Sequence, residues 1–361
     1  MSASSAPGRR SLLLSLLLSL LLGCDAGTSI QNRQFLAFGT LMELTLAGVD
    51  GQRADRITAV IENDFHALHQ AWHAWDPGPL ALLNQAFADG ERVALPKVVK
   101  PLLLASRTLS TRSDGLFDPA IGRLVDLWGF HRDDPRDNRP PSPEAIAELL
   151  RQHPSMKDLR LDGEQVSSLN SAVKLDFGAI GKGYGIDLAV ERLRSMGVEN
   201  AIVNGGGDLR AIGDRGNGAP WRIAIRHPDG EHLLGSIEVS GDESVFTSGG
   251  YERNYYWRGE RYHHIIDPRS GYPARGTASV TVIHSDATTA DAAATALFIA
   301  GPTQWQRIAR QMGVGMVLLL AENGDLHMNP AMRARVKLTD ESGTRIHLSA
   351  PFPAATMAGE Q

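Results

Sequence analysis

Residues 175–185 read Leu-Asp-Phe-Gly-Ala-Ile-Gly-Lys-Gly-Tyr-Gly, a glycine-rich stretch between a strand-like segment and a helical one. Its four glycines allow the backbone to turn sharply or to approach a ligand closely. The helix that follows would direct its free amides and its dipole at the turn, which stabilises a bound anion. Lys182 adds a positive charge for a phosphate, and Asp176 can accept a hydrogen bond from a ring or ribose donor. The same glycines would also suit a tight strand-to-helix turn with no ligand.

The spacing of this stretch excludes two common phosphate-binding motifs. A P-loop has four residues between its first glycine and its Gly-Lys pair, whereas Gly178 and Gly181 have two between them. Gly183 also occupies the position where a P-loop has Ser or Thr for Mg²⁺. A dinucleotide-binding GxGxxG motif that started at Gly181 would need a third glycine where this chain has Ile186. An anion site here would belong to another class.

Strand-like and helical segments around this stretch are grouped and do not alternate strictly. Strands are predicted at Phe35–Leu46, in short pieces over 157–175, at several places over 201–282 and at Val314–Leu320. Helices are predicted at Arg53–Trp75, Lys97–Ser110, Pro143–Gln152 after an N-cap at Ser142, Ile180–Met196, Thr289–Ala300 and Pro302–Met312. This grouping favours an α+β fold in which a mainly antiparallel sheet packs against helices.

The segment 286–297 contains a second candidate site. Asp291 and Thr295 are four residues apart and therefore lie on one face of a helix. The alanines around them allow other backbone to come close, and Mg²⁺ needs only a few protein oxygens because water and substrate phosphates complete its octahedron. The alternative is a capping Asp and a packed helical Thr without a metal.

A third candidate is the segment 263–271, which reads His-His-Ile-Ile-Asp-Pro-Arg-Ser-Gly. An apolar strand end runs here into a turn with proline and glycine, and Asp267 would cap that turn. From propensity alone the histidines could simply be exposed.

The N-terminus resembles a bacterial lipoprotein signal. Arg9 and Arg10 precede a short apolar run from Leu12 to Leu22, which is shorter than the roughly 20 residues of a membrane-spanning helix. The only cysteine, Cys24, follows directly after a glycine, as in a lipobox. We therefore expect a signal peptide over 1–24 with lipidation of Cys24, although a cleaved secretory signal with a chance cysteine is the alternative. Asp25 resembles a signal for retention at the inner membrane, which implies the periplasmic face.

Composition excludes some functions. The 361 residues are 42% hydrophobic and 21% charged, which is typical of a globular chain and not of a disordered one. The formal net charge of -5 provides no global positive field for nucleic acid, so no nucleic-acid partner is expected. We expect a tether over 25–34, one domain over 35–340 and a C-terminal tail over 341–361.

The three candidate segments resemble motifs of the ApbE flavin transferases, and further motifs occur in the same order as in that family. The motif segments are 75–76, 113–119, 127–130, 176–185, 204–208, 247–249, 264–271 and 290–295. The resemblance runs from about Phe38 to about Leu320. It implies an ApbE or T-fold-like architecture with FAD in a cleft between the sheet and the helices.

Carried over to this chain, the resemblance implies specific site residues. The flavin or phosphate neighbours would be Trp75, Leu116, Phe117, Asp118, Asp176, Lys182, His264 and Ile265. The Mg²⁺ ligands would be the backbone carbonyl of Ala179 and the side chains of Asp291 and Thr295. Ala294 stands where many relatives have a second Asp, so one possible carboxylate is missing.

The family's reaction is transfer of the FMN half of FAD to a threonine or serine hydroxyl of another protein, with release of AMP. Lys182 would offset charge on the phosphates, and His264 would take the hydroxyl proton because imidazole titrates near neutrality. The resemblance implies as acceptor a Ser/Thr-Gly-Ala-Thr/Ser segment on redox subunits of Rnf or Nqr type. Two alternatives stay open, namely an Mg²⁺-dependent FAD pyrophosphatase and a lipoprotein that binds FAD without turnover.

Overall fold

The computed structural model describes residues 29–132 and 139–352. Its strands are β1 (Ile30–Ala37), β2 (Thr40–Ala47), β3 (Val93–Ala94), β4 (Leu159–Asp162), β5 (Gln165–Ser168), β6 (Ala201–Gly205), β7 (Asp208–Gly213), β8 (Trp221–Arg226), β9 (Leu233–Val239), β10 (Gly241–Gly249), β11 (Asn254–Trp257), β12 (Glu260–His263), β13 (Thr277–His284), β14 (Met316–Ala321), β15 (Leu326–Met328), β16 (Lys337–Leu338) and β17 (Ile346–Leu348). Its helices are α1 (Gly51–Trp72), α2 (Pro79–Ala88), α3 (Lys100–Arg112), α4 (Gly122–Leu127), α5 (Pro143–Gln152), α6 (Gly181–Ser195), α7 (Ala287–Met312) and α8 (Pro330–Arg335).

The largest sheet confirms the predicted α+β class. Its nine strands follow the order β1-β2-β6-β7-β10-β13-β14-β15-β17. Every neighbouring pair is antiparallel except β15 and β17, which run parallel. The last strand, β17, lies inside the range 341–361 that we expected to be a tail, so that expectation is wrong for these residues. A tripeptide strand is too short to be recognised from its own pattern.

The first predicted strand is in fact a hairpin. β1 and β2 pair in register from Ile30 with Ala47 to Ala37 with Thr40. Phe38 and Gly39 form the turn with φ of 52° and 68°, a left-handed geometry that an aromatic residue rarely adopts. The strand also begins inside the predicted tether of residues 25–34, so the prediction of a tether is wrong from residue 30 onward. The apolar alternation continues across the turn, and no glycine pair marked it in the sequence.

The predicted helices are present with small shifts of their ends. α5 begins after Ser142, whose hydroxyl accepts from the backbone amide of Ala145 at 3.2 Å, as the N-cap prediction required. The range α7 contains two helical parts separated at Gly301, whose φ of 67° and ψ of -178° are not helical, so the two predicted C-terminal helices are confirmed. α2 was missed because the segment 76–79 resembles a helix stop, whereas Pro79 also begins the next helix.

Asp187 joins the elements that surround the candidate site. It lies on α6 and accepts hydrogen bonds from the backbone amides of Ala287 and Thr288, at 2.9 and 2.8 Å, at the start of α7. It also forms an ion pair with Arg210 of β7 at 2.5 Å. This carboxylate therefore satisfies free amides of one helix and connects it to a second helix and to the sheet.

Within 29–132 and 139–352, no helix combines the length and the apolar character needed to cross a membrane. The predicted signal peptide and Cys24 lie outside the described residues.

Candidate active site

Three charged side chains meet where α6, α7 and β7 pack together. Asp291 of α7 is 5% exposed, and its Oδ2 accepts from the backbone amide of Gly183 at 2.9 Å. Lys182 of α6 forms an ion pair with Asp208 of β7. The other oxygen of Asp208 accepts from the backbone amide of Thr247 at 2.7 Å. When ionised, the two carboxylates exceed the single ammonium by one negative charge, which favours a bound cation.

Gly183 makes this contact possible because it has no side chain. A Cβ at this position would lie 2.3 Å from the backbone oxygen of Ala287 and 2.8 Å from the Cβ of Asp291. Real Cβ atoms essentially never approach other atoms below 3.0 Å. Gly183 therefore sets the close approach of α6 to α7.

Burial and neighbouring charges determine the protonation of Asp291 and Lys182. Burial raises the pKa of Asp291 to about 6; the Lys182 ammonium opposes this shift and the Asp208 carboxylate adds to it. Burial by itself would lower the pKa of Lys182, but Asp208 and Asp291 outweigh it and hold that pKa above its usual range. Lys182 is therefore charged at neutral pH, while Asp291 ionises only near neutrality.

The other two predicted metal ligands are also oxygen atoms. Thr295 lies one turn later on α7, and its hydroxyl is 3.3 Å from the Ser248 hydroxyl of β10. Gly183 donates its amide to Asp291, so the helical bond that it would make to the Ala179 carbonyl is not formed. Among the described residues, no hydrogen bond reaches that carbonyl. Ala294, in contrast, is 1% exposed and belongs to the apolar core.

His264 is half-buried and held by the backbone of Arg253. Its Nδ1 lies 3.2 Å from the Arg253 carbonyl, which can only accept, so Nδ1 carries the proton and Nε2 is the acceptor. Burial, together with the charges of His263, Arg253 and Lys182, lowers the pKa of His264 to about 3. The premise that this imidazole titrates near neutrality is therefore wrong in the substrate-free protein. The sequence does not reveal that His264 is buried, and this burial lowers its pKa.

A second part of the site contains Asp176 and Trp75. Asp176 accepts from the Gly178 amide at 2.9 Å, and burial raises its pKa although Arg253, among other cations, opposes the shift. The Lys174 ammonium lies 5.0 Å from the centre of the Trp75 ring. In the described part of the chain, the buried Nε1 of Trp75 has no hydrogen-bond partner. A buried N–H without an acceptor is costly, which makes it a candidate donor to a ligand.

Four predicted flavin neighbours are buried. Leu116, Phe117 and Ile265 are 4%, 1% and 5% exposed and belong to the main apolar core.

The Asp118 side chain is 9% exposed, and its carboxylate accepts hydrogen bonds only from groups inside the protein among the described residues. Its carboxylate accepts from the amides of Ala120 and Met156 and from the hydroxyls of Ser110 and Ser155. The side chain of Asp118 therefore orders these loops, and the structure gives it no free oxygen for a flavin.

Several residues of the site escaped the sequence analysis as individual candidates. Asp208 and Ser248 lie in segments that carried the family resemblance, so their motifs were recognised but their roles were not. Lys174 precedes Asp176 by two residues, and that proximity was the only available signal. Nothing in the local sequence marks Arg253, which the pairing of β11 with β12 brings beside His264.

One groove on the surface contains none of the charged residues described above. It has a volume of about 430 Å³, lies between α1 and α6, and is lined in part by Ile61, Phe65, Leu68, Gly185 and Leu188. None of the predicted flavin neighbours or metal ligands lines it.

Comparison with known proteins decides the family. The family model described as "ApbE family" matches residues 38–318, a range that contains every candidate flavin neighbour and metal ligand above. The chain belongs to the ApbE family. It is 43% identical over 315 residues to the "FAD:protein FMN transferase" of Rhodobacter capsulatus, an ApbE relative of which it spans 59% while 86% of the chain is covered. It is 34% identical over 263 residues to a Klebsiella pneumoniae relative with the same description, covering 72% of the chain and 79% of that relative.

Solved ApbE structures have the same fold. The ApbE protein of Thermotoga maritima matches with a TM-score of 0.78 and 33% identity, covering 86% of this chain and 100% of that one. The apo form of the Pseudomonas stutzeri flavinyl transferase ApbE matches with a TM-score of 0.71 and 29% identity, over 82% and 92% of the two chains. The predicted α+β architecture with a mainly antiparallel sheet is thus that of ApbE proteins.

Proposed function

We propose that this chain transfers the FMN half of FAD to a threonine or serine hydroxyl of a partner redox protein and releases AMP. The observation that carries the proposal is the buried Asp291 carboxylate, which the Gly183 amide holds close to the charged Lys182. These groups suit chemistry at a pyrophosphate. The relatives described as FAD:protein FMN transferases support the choice of substrate and of acceptor class.

The oxygen donors fit Mg²⁺. Asp291 is buried beside Asp208, and only its Oδ2 accepts a hydrogen bond from the described residues. The Ala179 carbonyl at the start of α6 is free of the helical hydrogen bond. Together with the Thr295 hydroxyl they form the small, hard oxygen set that Mg²⁺ prefers. When bound, Mg²⁺ would supply positive charge to the substrate phosphates.

Transfer forms a bond between the acceptor hydroxyl oxygen and the phosphorus of FMN. The bond from that phosphorus to the bridging oxygen breaks, AMP leaves with this oxygen, and the acceptor hydroxyl loses its proton. Lys182 offsets negative charge on the phosphate oxygens, and Asp208 holds its ammonium in place. The N-terminus of α6 adds its amides on the same side.

His264 is our candidate to receive the hydroxyl proton. Its Nε2 is the unprotonated nitrogen because Nδ1 donates to Arg253. Its pKa of about 3 makes it a weak base in the substrate-free protein, but the negative charge of a bound pyrophosphate would raise that pKa. The imidazole would therefore become a stronger base when substrate arrives.

Trp75 and Asp176 remain the candidate contacts to the flavin. The orphaned Nε1 of Trp75 would donate to a flavin oxygen or phosphate, and the half-buried Asp176 would accept from a ring or ribose donor. Leu116, Phe117 and Ile265 would support the site from the core behind it.

The partner and the location rest on sequence alone. We propose that the acceptor is a Ser/Thr-Gly-Ala-Thr/Ser segment on a redox subunit of Rnf or Nqr type. We also propose that Cys24 carries lipid and that the domain works at the periplasmic face of the inner membrane.

A transfer assay tests the proposal. The purified chain is incubated with FAD, Mg²⁺ and an acceptor domain, and covalently bound FMN is sought by mass spectrometry. We expect an FMN adduct that requires both the acceptor hydroxyl and Mg²⁺. Asp291→Asn should abolish the adduct, whereas Glu191→Gln, which removes an exposed carboxylate from α6, should not.

Other outcomes would contradict the proposal in different ways. Release of AMP at the same rate without acceptor would indicate an FAD pyrophosphatase. Tight FAD binding without AMP release under any divalent metal would indicate a passive FAD-binding protein. An unchanged adduct with Asp291→Asn would remove Asp291 from the metal site.

A further inference from the structure

A cluster of two histidines and one aspartate lies at the edge of the large sheet formed by β15 and β17. His327 of β15 is the register partner of His347 of β17. Asp325 precedes His327 by two residues, so both side chains lie on the same side of the strand. The strands β13 and β14 separate this edge from β10, which carries Ser248. The cluster is therefore distinct from the candidate active site.

The three side chains converge. The rings of His327 and His347 stack with 4.5 Å between their centres and 12° between their planes. Nε2 of His347 lies 3.0 Å from Oδ2 of Asp325. One potential ligand atom from each of the three residues lies within 4.8 Å of the other two. We propose that Asp325, His327 and His347 bind a borderline divalent cation such as Zn²⁺.

The donor types and spacing suit this class of metal. Imidazole nitrogens and a carboxylate bind Zn²⁺ at roughly 2.0–2.2 Å, so ligand atoms of a tetrahedral site are about 3.4 Å apart. The two rings must rotate out of their stacked arrangement to bring the present atoms to that spacing. Three protein ligands leave one position for water. The all-oxygen set around Asp291 instead suits Mg²⁺, so the two sites would select different metals.

The Asp325 side chain is 19% exposed, and an arginine lies near its carboxylate. Arg345 lies 3.8 Å from the same carboxylate but is 74% exposed, so it can move aside.

A metal here would link β17, the last strand of the described chain, to its neighbour β15. β17 has only three residues and pairs with the sheet in parallel through β15 alone. Parallel pairing is slightly weaker per residue than antiparallel pairing. The two histidines belong to the two strands of this pair, so one shared ion would stabilise the last strand of the sheet directly.

Zn²⁺ uptake by the full chain tests the proposal. The chain is treated with a chelator, dialysed and titrated with Zn²⁺ against a chromophoric competitor in excess Mg²⁺, and Tm is measured in parallel. We expect one tight equivalent of Zn²⁺ and a rise in Tm of about 5 °C at a hundredfold excess over Kd. His327→Ala and His347→Gln should each weaken uptake by at least about tenfold, since even outer-shell partners of a metal contribute about 10- to 100-fold.

The chain provides a matched control in the loop between β8 and β9. His227 and His232 both contact Asp229 there, at 3.0 and 2.7 Å, and the His232 side chain is 73% exposed. His232→Ala should leave Zn²⁺ uptake unchanged. Equal uptake by the chain with His327→Ala, loss of uptake with His232→Ala, or absence of a tight equivalent in the unmodified chain would each overturn the proposal. Persistence of the Zn²⁺-dependent rise in Tm with His327→Ala would also overturn it, because the stabilising Zn²⁺ would then be bound elsewhere.

Discussion

Replacing Gly183 with alanine tests the close contact between α6 and α7. The new Cβ would lie 2.3 Å from the Ala287 carbonyl oxygen, whereas ordinary contacts begin near 3.4 Å. The opposing atoms are backbone and the Cβ of Asp291, so no flexible side chain can yield. α7 would have to withdraw by about 1 Å, because overpacked interiors shift backbone rather than compress.

The expected magnitude combines three effects. Overpacking costs about 1–3 kcal/mol, and loss of the amide bond to the Asp291 carboxylate costs about 1.5–3 kcal/mol. Alanine regains about 1 kcal/mol of helix propensity relative to glycine. The net destabilisation is about 1.5–5 kcal/mol. A 1 Å displacement of Asp291 should also reduce transfer by about 100-fold, because reactive geometry tolerates little error.

Gly181→Ala is the matched control because it introduces the same methyl group into the same helix. Its Cβ would meet Phe177 at 3.8 Å and Trp72 at 4.0 Å, which are ordinary contacts. Urea unfolding and the FMN-transfer assay are measured for both variants. We expect Gly181→Ala to be close to the unmodified chain in both measurements. Unchanged stability and transfer in Gly183→Ala would refute the contact between the two helices as described.

Three further changes test other parts of the site. Below pH 6 the half-saturating Mg²⁺ concentration should rise about tenfold per pH unit, because burial raises the pKa of Asp291 to about 6 and Mg²⁺ needs its ionised form. The pKa of Asp291 in the folded chain lies above its value in the unfolded chain, so the metal-free chain should gain stability from this group as the pH falls from about 6 to about 4. This gain should be absent in Asp291→Asn when Tm is measured over the same pH range. His264→Gln should slow transfer by about 100-fold or more. In the unmodified chain, the titration of His264 should cause no fall of kcat/KM near pH 6.5, because burial lowers the pKa of this imidazole to about 3. Asp118→Ala should cost about 3 kcal/mol or more in urea unfolding because four donors lose their acceptor, and loss of transfer with unchanged stability would instead support a flavin contact.

The sequence determined much of this molecule by local pattern. Helical spacing, the cap at Ser142 and the grouping of strands predicted the α+β class, because periodicity and caps depend on near neighbours. The ordered motifs also indicated the ApbE family and brought Lys182, Asp291 and Thr295 into consideration.

Only the tertiary structure decided what the candidate side chains contact. In the folded chain, Asp118 accepts hydrogen bonds from internal donors, and Lys182 pairs with Asp208. Arg253 contacts His264 through its backbone carbonyl. The tertiary structure also brought His327 and His347 together across a short parallel pair that no local pattern marks. Residue spacing predicts which face of an element a side chain occupies, but burial, pKa and partners depend on the elements that pack against that face.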